Sequence, residues 1–222
     1  MRIGFILFPN VTQLDFTGPL QLLQRLPDSE TSVIAKSQAP LKTDGALTVL
    51  PTHAFDDTPQ LDLICVPGGF GTADAIADGE TLDFVKAQGA GATYVTSVCT
   101  GALILGAAGL LEGKRATTHW AYTDLLELCG AVFEDARVVR DGNTFTGGGV
   151  TAGIDFALTL IATLQGEAVA QAFQLGFEYN PQPPFNAGHP STAPSAVLDA
   201  TRPRYAAQLD TTATAIRAAR HT

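Results

Sequence analysis

Apolar runs alternate with helical patterns along the whole chain. The pattern predicts strands over 2–8, 31–37, 46–50, 61–66 and 93–98, with further strands near 115–118, 131–134 and 137–140. Helical spacing falls over 12–26, 72–88, 100–110, 121–129, 151–164, 167–174 and 195–219. Arg140-Asp141-Gly142-Asn143-Thr144 has the composition of a hairpin turn leading into Phe145. Several strands are continuously apolar, and helices separate them. That arrangement predicts a mostly parallel, doubly wound α/β sheet covered on both faces, with the architecture of a flavodoxin-like sandwich. No repeat and no interdomain linker interrupts it, so a single domain over 1–222 is expected. The one long loop-like stretch is 176–194, followed by the last helix, and a loop of that length is usually functional or an interface arm.

Composition narrows the class. Of 222 residues, 45% are hydrophobic and 16% charged, enough for a sizeable core. The net charge of −9 disfavours nucleic acid and anionic membrane and suits an uncharged or cationic small ligand. No apolar run approaches the roughly 20 residues of a membrane span, and the apolar stretch at 1–8 ends in Pro9 without a cleavage motif, so it reads as a buried first strand. Three cysteines without framework spacing indicate a reducing, cytoplasmic setting. Neither CxxC nor HExxH occurs, so no metal site is expected.

The chemistry centres on Cys99. A β-branched run ends at Ser97-Val98-Cys99, and an Ala/Leu-rich helical run begins at Thr100-Gly101. Small residues two positions to either side of a cysteine, at a strand-to-helix junction, describe a nucleophile elbow. The elbow puts the sulfur at a helix N-terminus, where unpaired N–H groups favour thiolate. Cys65, mid-strand, and Cys129, near a helix end, read as packing residues.

Three other segments should reach the same sheet edge, because ligands in open α/β sheets bind beyond the carboxyl ends of the strands. Pro67-Gly68-Gly69-Phe70-Gly71 follows the 61–66 strand; the N–H groups of Gly68, Gly69 and Thr100 would converge as an oxyanion hole, or the glycines simply make a tight turn. Asp15, at the start of the first helix, is either a helix-cap acid or an acid aimed at the sulfur. His119 is either a base for the cysteine or a structural histidine at a strand end; His53, His189 and His221 have no supporting context. Thr100 offers a hydroxyl and an N–H, or is an ordinary β-branched first-turn residue.

Together these residues resemble the DJ-1/PfpI superfamily, the class I glutamine-amidotransferase-like fold. The resemblance is carried by Ile3–Pro9, Leu14–Pro19, Val66–Gly69, Ser97–Gly101, Ala116–Trp120, Gly147–Gly153 and Glu178–Phe185. Within the superfamily the chain is most similar to the isonitrile-hydrating branch. The resemblance implies a cysteine nucleophile at Cys99, an acidic partner at Asp15 and a helpful hydroxyl at Thr100. It implies a homodimer without cofactor that adds water to a small uncharged isonitrile. The peptidase branch carries His after the cysteine, where this chain has Thr100. A related group adds a DNA-binding module, for which the roughly 30 residues after the PPF loop are too few. A glyoxalase-like or hydrolytic enzyme acting on a carbonyl, and a redox or ligand sensor, are the alternatives with the same elbow.

Overall fold

The computed structural model describes residues 1–220, so His221 lies outside the described residues. In chain order the elements are β1 (Arg2–Ile6), α1 (Gln13–Leu23), β2 (Glu30–Ala35), β3 (Leu41–Lys42), β4 (Thr48–Val49), β5 (His53–Ala54) and β6 (Leu63–Val66). Then come α2 (Thr72–Ala77), α3 (Gly79–Gly91), β7 (Tyr94–Val98), α4 (Gly101–Ala107), β8 (Arg115–Ala116), α5 (Leu125–Leu128), β9 (Val132–Phe133), β10 (Val138–Asp141) and β11 (Thr144–Gly147). Four helices close the described chain: α6 (Ala152–Gln165), α7 (Glu167–Gly176), α8 (Ser195–Thr201) and α9 (Ala206–Arg220).

The main sheet has the order β10-β11-β7-β6-β1-β2-β5, parallel except for β10. The chain starts at β1, builds outward to β2 and β5, and then returns to β6 on the other side. The switch therefore falls between β1 and β6, where the loops after the two strands part and leave a crevice. Both faces are covered. Helix α1 packs on α6 and α6 on α7; on the other face α9 packs on α2, α4 and α5. Sheet strands buried on both faces explain the uninterrupted apolar runs: β6 is buried at every position, and Ile3, Phe5, Ile6 and Phe145 are fully enclosed.

The predicted turn at 140–144 is a hairpin, with Asp141 opposite Thr144 and Gly142 at φ +61°. Some expectations change. The 72–88 pattern is two helices, because Asp78 takes an extended conformation between them. The 195–219 helix is broken by a short 3-10 turn over Arg202–Tyr205 that contains Pro203, whose ring cannot continue an α-helical ladder. The 46–50 strand is reduced to β4, which pairs with β3 outside the main sheet, while β5 takes the sheet edge.

Candidate active site

Cys99 stands between β7 and α4 at φ +57°. A side chain in the left-handed region costs about 1–2 kcal/mol and persists where surrounding contacts enforce it. They do so here. The Cys99 N–H donates to the carbonyls of Gly147 (3.0 Å) and Gly148 (2.9 Å), and its own carbonyl accepts from Thr118 Oγ1 at 2.9 Å. The helix after the turn starts hard against β6. A Cβ on Gly101 would lie 1.9 Å from the Val66 carbonyl oxygen, so no other residue fits. A Cβ on Gly68 would lie 2.4 Å from Thr100 Oγ1. The small residues of the elbow are thus fixed by backbone meeting backbone.

Asp15 is completely buried in the first turn of α1. It caps nothing: the N-cap is Thr12, and Asp15 Oδ2 instead accepts from the Gly68 N–H at 2.9 Å. Oδ1 is buried without a conventional hydrogen-bond partner, and the carboxyl's side-chain neighbour is the Cys99 thiol. Burial is the main cause that pushes the Asp15 carboxyl up to about 7. The Cys99 thiol is pushed well above its ordinary value, first by burial and then by the Asp15 charge. The N–H groups of Thr100 and Val150 face the sulfur and act in the opposite direction, but they are outweighed. The helix N-terminus alone therefore does not make a resting thiolate. The pair instead holds a proton that either member can carry.

The expected oxyanion hole is arranged differently. The Gly68 N–H is committed to Asp15, and the Gly69 N–H donates to Thr100 Oγ1 at 3.0 Å. Thr100 Oγ1 also meets Thr72 Oγ1 at 2.7 Å, and Thr72 Oγ1 donates to the Gly69 carbonyl at 2.8 Å. The Thr100 hydroxyl then accepts from Gly69 and donates to Thr72, which ties the glycine loop to the elbow. Donors aimed at the reacting centre are the N–H groups of Thr100 and Val150.

Cys99 and Thr100 form part of the wall of a cavity of about 180 Å³ whose other walls include Phe70, His119, Tyr122 and Tyr205. His119 is neutral: burial lowers it to about 4, and its Nδ1 accepts the Ala121 N–H at 3.3 Å, which leaves the proton on Nε2. Among the described residues no hydrogen bond joins it to Cys99. Asp44 is the charged residue on the wall, held by Thr12 Oγ1 at 2.5 Å. A larger cavity of about 400 Å³ lies between Leu7, Phe8, Lys36 and Asp78 and includes none of Cys99, Asp15 or Thr100. Cys65 and Cys129 are buried thiols pushed up to about 12 by desolvation, as packing cysteines are. His53 and His189 sit away from the cavity, His189 3.2 Å from Asp135 on the surface.

Sequence patterns did not single out Thr72, Asp44, Tyr122, Val150 or Tyr205. Thr72 falls at the start of a helical pattern with no other signal, and Val150 lies within the Gly147–Gly153 stretch that carries the resemblance but has no side-chain chemistry to mark it. Tyr205 is brought in from 106 positions beyond Cys99 by the packing of α9, a contact with no local signature.

A doubly wound parallel sheet with a strained cysteine at the elbow, facing a buried acid from the first turn of the first helix, defines a class of α/β cysteine proteins. The chain belongs to the DJ-1/PfpI family, whose model matches residues 1–163. It is similar to the isonitrile hydratase of Pseudomonas putida, 57% identical over 94% of this chain and 92% of that one. A solved THiJ/PfpI family protein from Pseudomonas syringae superposes with a TM-score of 0.94 at 43% identity, covering 97% of this chain and 90% of the other. An HTH-type transcriptional regulator from Pseudomonas aeruginosa is 30% identical over 80% of this chain but only 50% of its own length.

Proposed function

We propose that this chain is an isonitrile hydratase that converts R–N≡C and water to the formamide R–NH–CHO through a thioimidate on Cys99. The observation that carries the reading is the buried Asp15–Cys99 pair beside a small cavity walled in part by Phe70, His119, Tyr122 and Tyr205, in a chain so similar to a known isonitrile hydratase.

The terminal carbon of an isonitrile must accept both a nucleophile and a proton. Asp15 takes the thiol proton, sulfur bonds to the carbon, and the carboxyl returns that proton to the same carbon, giving R–N=CH–S–Cys99. Water then adds to the carbon as Asp15 takes one of its protons and passes it to nitrogen. The C–S bond breaks, the second water proton leaves through Asp15 to the sulfur, and the formamide departs. A carboxyl held near 7 suits both directions of transfer at neutral pH. The Thr100 and Val150 N–H groups steady the charge on sulfur as it forms and leaves. Thr100 acts through its N–H and by holding Gly69, and Gly68 by orienting Asp15; His119 serves as a neutral wall. No step needs a cofactor.

The chain is taken to work in the cytoplasm as one domain and as a homodimer. None of its described helices is long and apolar enough to cross a membrane. The 176–194 arm and its flank expose Phe185 (78%) and Leu175 (82%), apolar groups suited to a second copy. The test of the activity is to supply cyclohexyl isocyanide and, separately, methylglyoxal. Formamide production far exceeding turnover of methylglyoxal is expected; the reverse ranking would assign the elbow to carbonyl chemistry.

A further inference from the structure

The Glu178–Phe185 stretch contains one side chain that reaches the body of the protein near the elbow. Tyr179 donates its O–H to Asp155 Oδ2 at 2.9 Å, and Arg137 Nε donates to the same oxygen at 2.7 Å. Asp155 stands in the first turn of α6. Arg137 precedes β10 and grips the loop before α6 at both ends. Its carbonyl accepts the Gly148 N–H at 2.9 Å, and its Nη2 donates to Thr151 Oγ1 at 3.1 Å. Between those two anchors lie Gly149, which packs on His119, and Val150, whose N–H faces the Cys99 sulfur. The carbonyls of Gly147 and Gly148, at the start of the same loop, hold the Cys99 N–H.

We propose that Tyr179, Asp155 and Arg137 form a clamp that positions the 147–151 loop, so that the Val150 N–H stays on the Cys99 sulfur and the strained elbow is held for attack. All three are positioning residues and none touches substrate. The inference rests on the reading of Cys99 as nucleophile. An isolated Arg–Asp pair this exposed contributes little to stability. Its role here is geometric: the Arg137 fork bridges Thr151 Oγ1 and Asp155 Oδ2, which a lysine cannot reproduce, while the Arg137 carbonyl holds Gly148, and Tyr179 fixes the carboxylate that aims the fork.

The test uses Tyr179→Phe and Arg137→Lys in the full chain, with Arg115→Lys as a control at a surface ion pair of similar exposure away from the site. Two properties are followed: the pH profile of Cys99 alkylation by iodoacetamide, located by peptide mass spectrometry, and kcat and KM for isonitrile. In both clamp variants the alkylation profile should move to higher pH and the rate at neutral pH should fall about fivefold, the effect of losing one hydrogen bond of ordinary strength. The kcat value should fall about tenfold or more with KM little changed, as expected of a misplaced reacting group. Arg115→Lys should change neither. If the clamp variants keep the wild-type alkylation profile, even while melting earlier, the network is only structural and the proposal fails. Alkylation needs no isonitrile, so a shifted profile upholds the clamp even if the wild-type protein proves inert toward isonitriles.

Discussion

Asp15 and His119 carry opposite pH signatures, because both are buried and each resists its charged form. Asp15 is raised from 3.8 to about 7, so the folded state holds a proton that the unfolded state releases. Its contribution to stability is full below about 4 and is lost as pH rises to about 7. His119 is lowered from 6.5 to about 4, so its contribution is full above about 6.5 and is lost as pH falls to about 4. Between those limits the two slopes, each about 1.4 kcal/mol per pH unit at most, oppose one another. Asp15→Asn should unmask the His119 slope, becoming less stable as pH drops from 6.5 to 4, while His119→Gln should lose stability as pH rises across the same range. Chemical denaturation at several pH values checks both; parallel curves for the two variants would contradict the assigned burial. Asp15→Asn should also lose most hydration activity while folding normally, since an amide has no proton to give.

Thr100 differs in kind. Its hydroxyl lies between the Gly69 N–H and Thr72 Oγ1. Thr100→Val would strip the Gly69 N–H of its partner and leave Thr72 Oγ1 with the Gly69 carbonyl alone, at a cost of about 1–3 kcal/mol, whereas Thr100→Ser should keep most of the stability. Equal denaturation midpoints for the two variants would return the hydroxyl to a minor role.

At the scale of elements, the elbow depends on how α4 starts against β6. Gly101→Ala must push a Cβ into the Val66 carbonyl, and nothing there is a flexible side-chain end. A loss of more than about 2 kcal/mol, or failure to fold, is expected from a melt of the purified variant. This element was legible in the sequence because its requirement is local: small residues at Ser97 and Gly101 around a cysteine. The covered strands were equally legible from their unbroken apolar runs. What the pattern missed was set by longer-range or subtler terms. Asp78 looks like any polar helix position, yet it separates α2 from α3. Pro203 is a recognised breaker, but the apolar spacing on either side masked it. Of the expected donors the Thr100 N–H does face the sulfur, whereas hydrogen bonds to Asp15 and Thr100 consume the Gly68 and Gly69 N–H groups, a fact that only three-dimensional packing decides. Tyr122 follows His119 through a short 3-10 turn, and Tyr205 reaches the cavity through tertiary contact alone.

At the scale of the molecule, the sheet brings the loops after β1, β6, β7 and β11 to one edge, so residues as distant in sequence as Asp15 and Val150 meet around one sulfur. The acidic surface supplies no attraction to anions, which suits a neutral substrate that needs no steering field. The proposed homodimer makes its own prediction: Phe185→Asp combined with Leu175→Asp should lower the sedimenting mass from twice the chain to once, and an unchanged mass would place the interface elsewhere. The central claim remains the covalent role of Cys99 in hydration. It is tested most directly by the rate of formamide production from an isonitrile by Cys99→Ala, on protein whose melt matches the wild type. Formamide is expected to fall to the uncatalysed background, with Cys65→Ala close to wild type. Formamide production by Cys99→Ala at a rate comparable to wild type would contradict it.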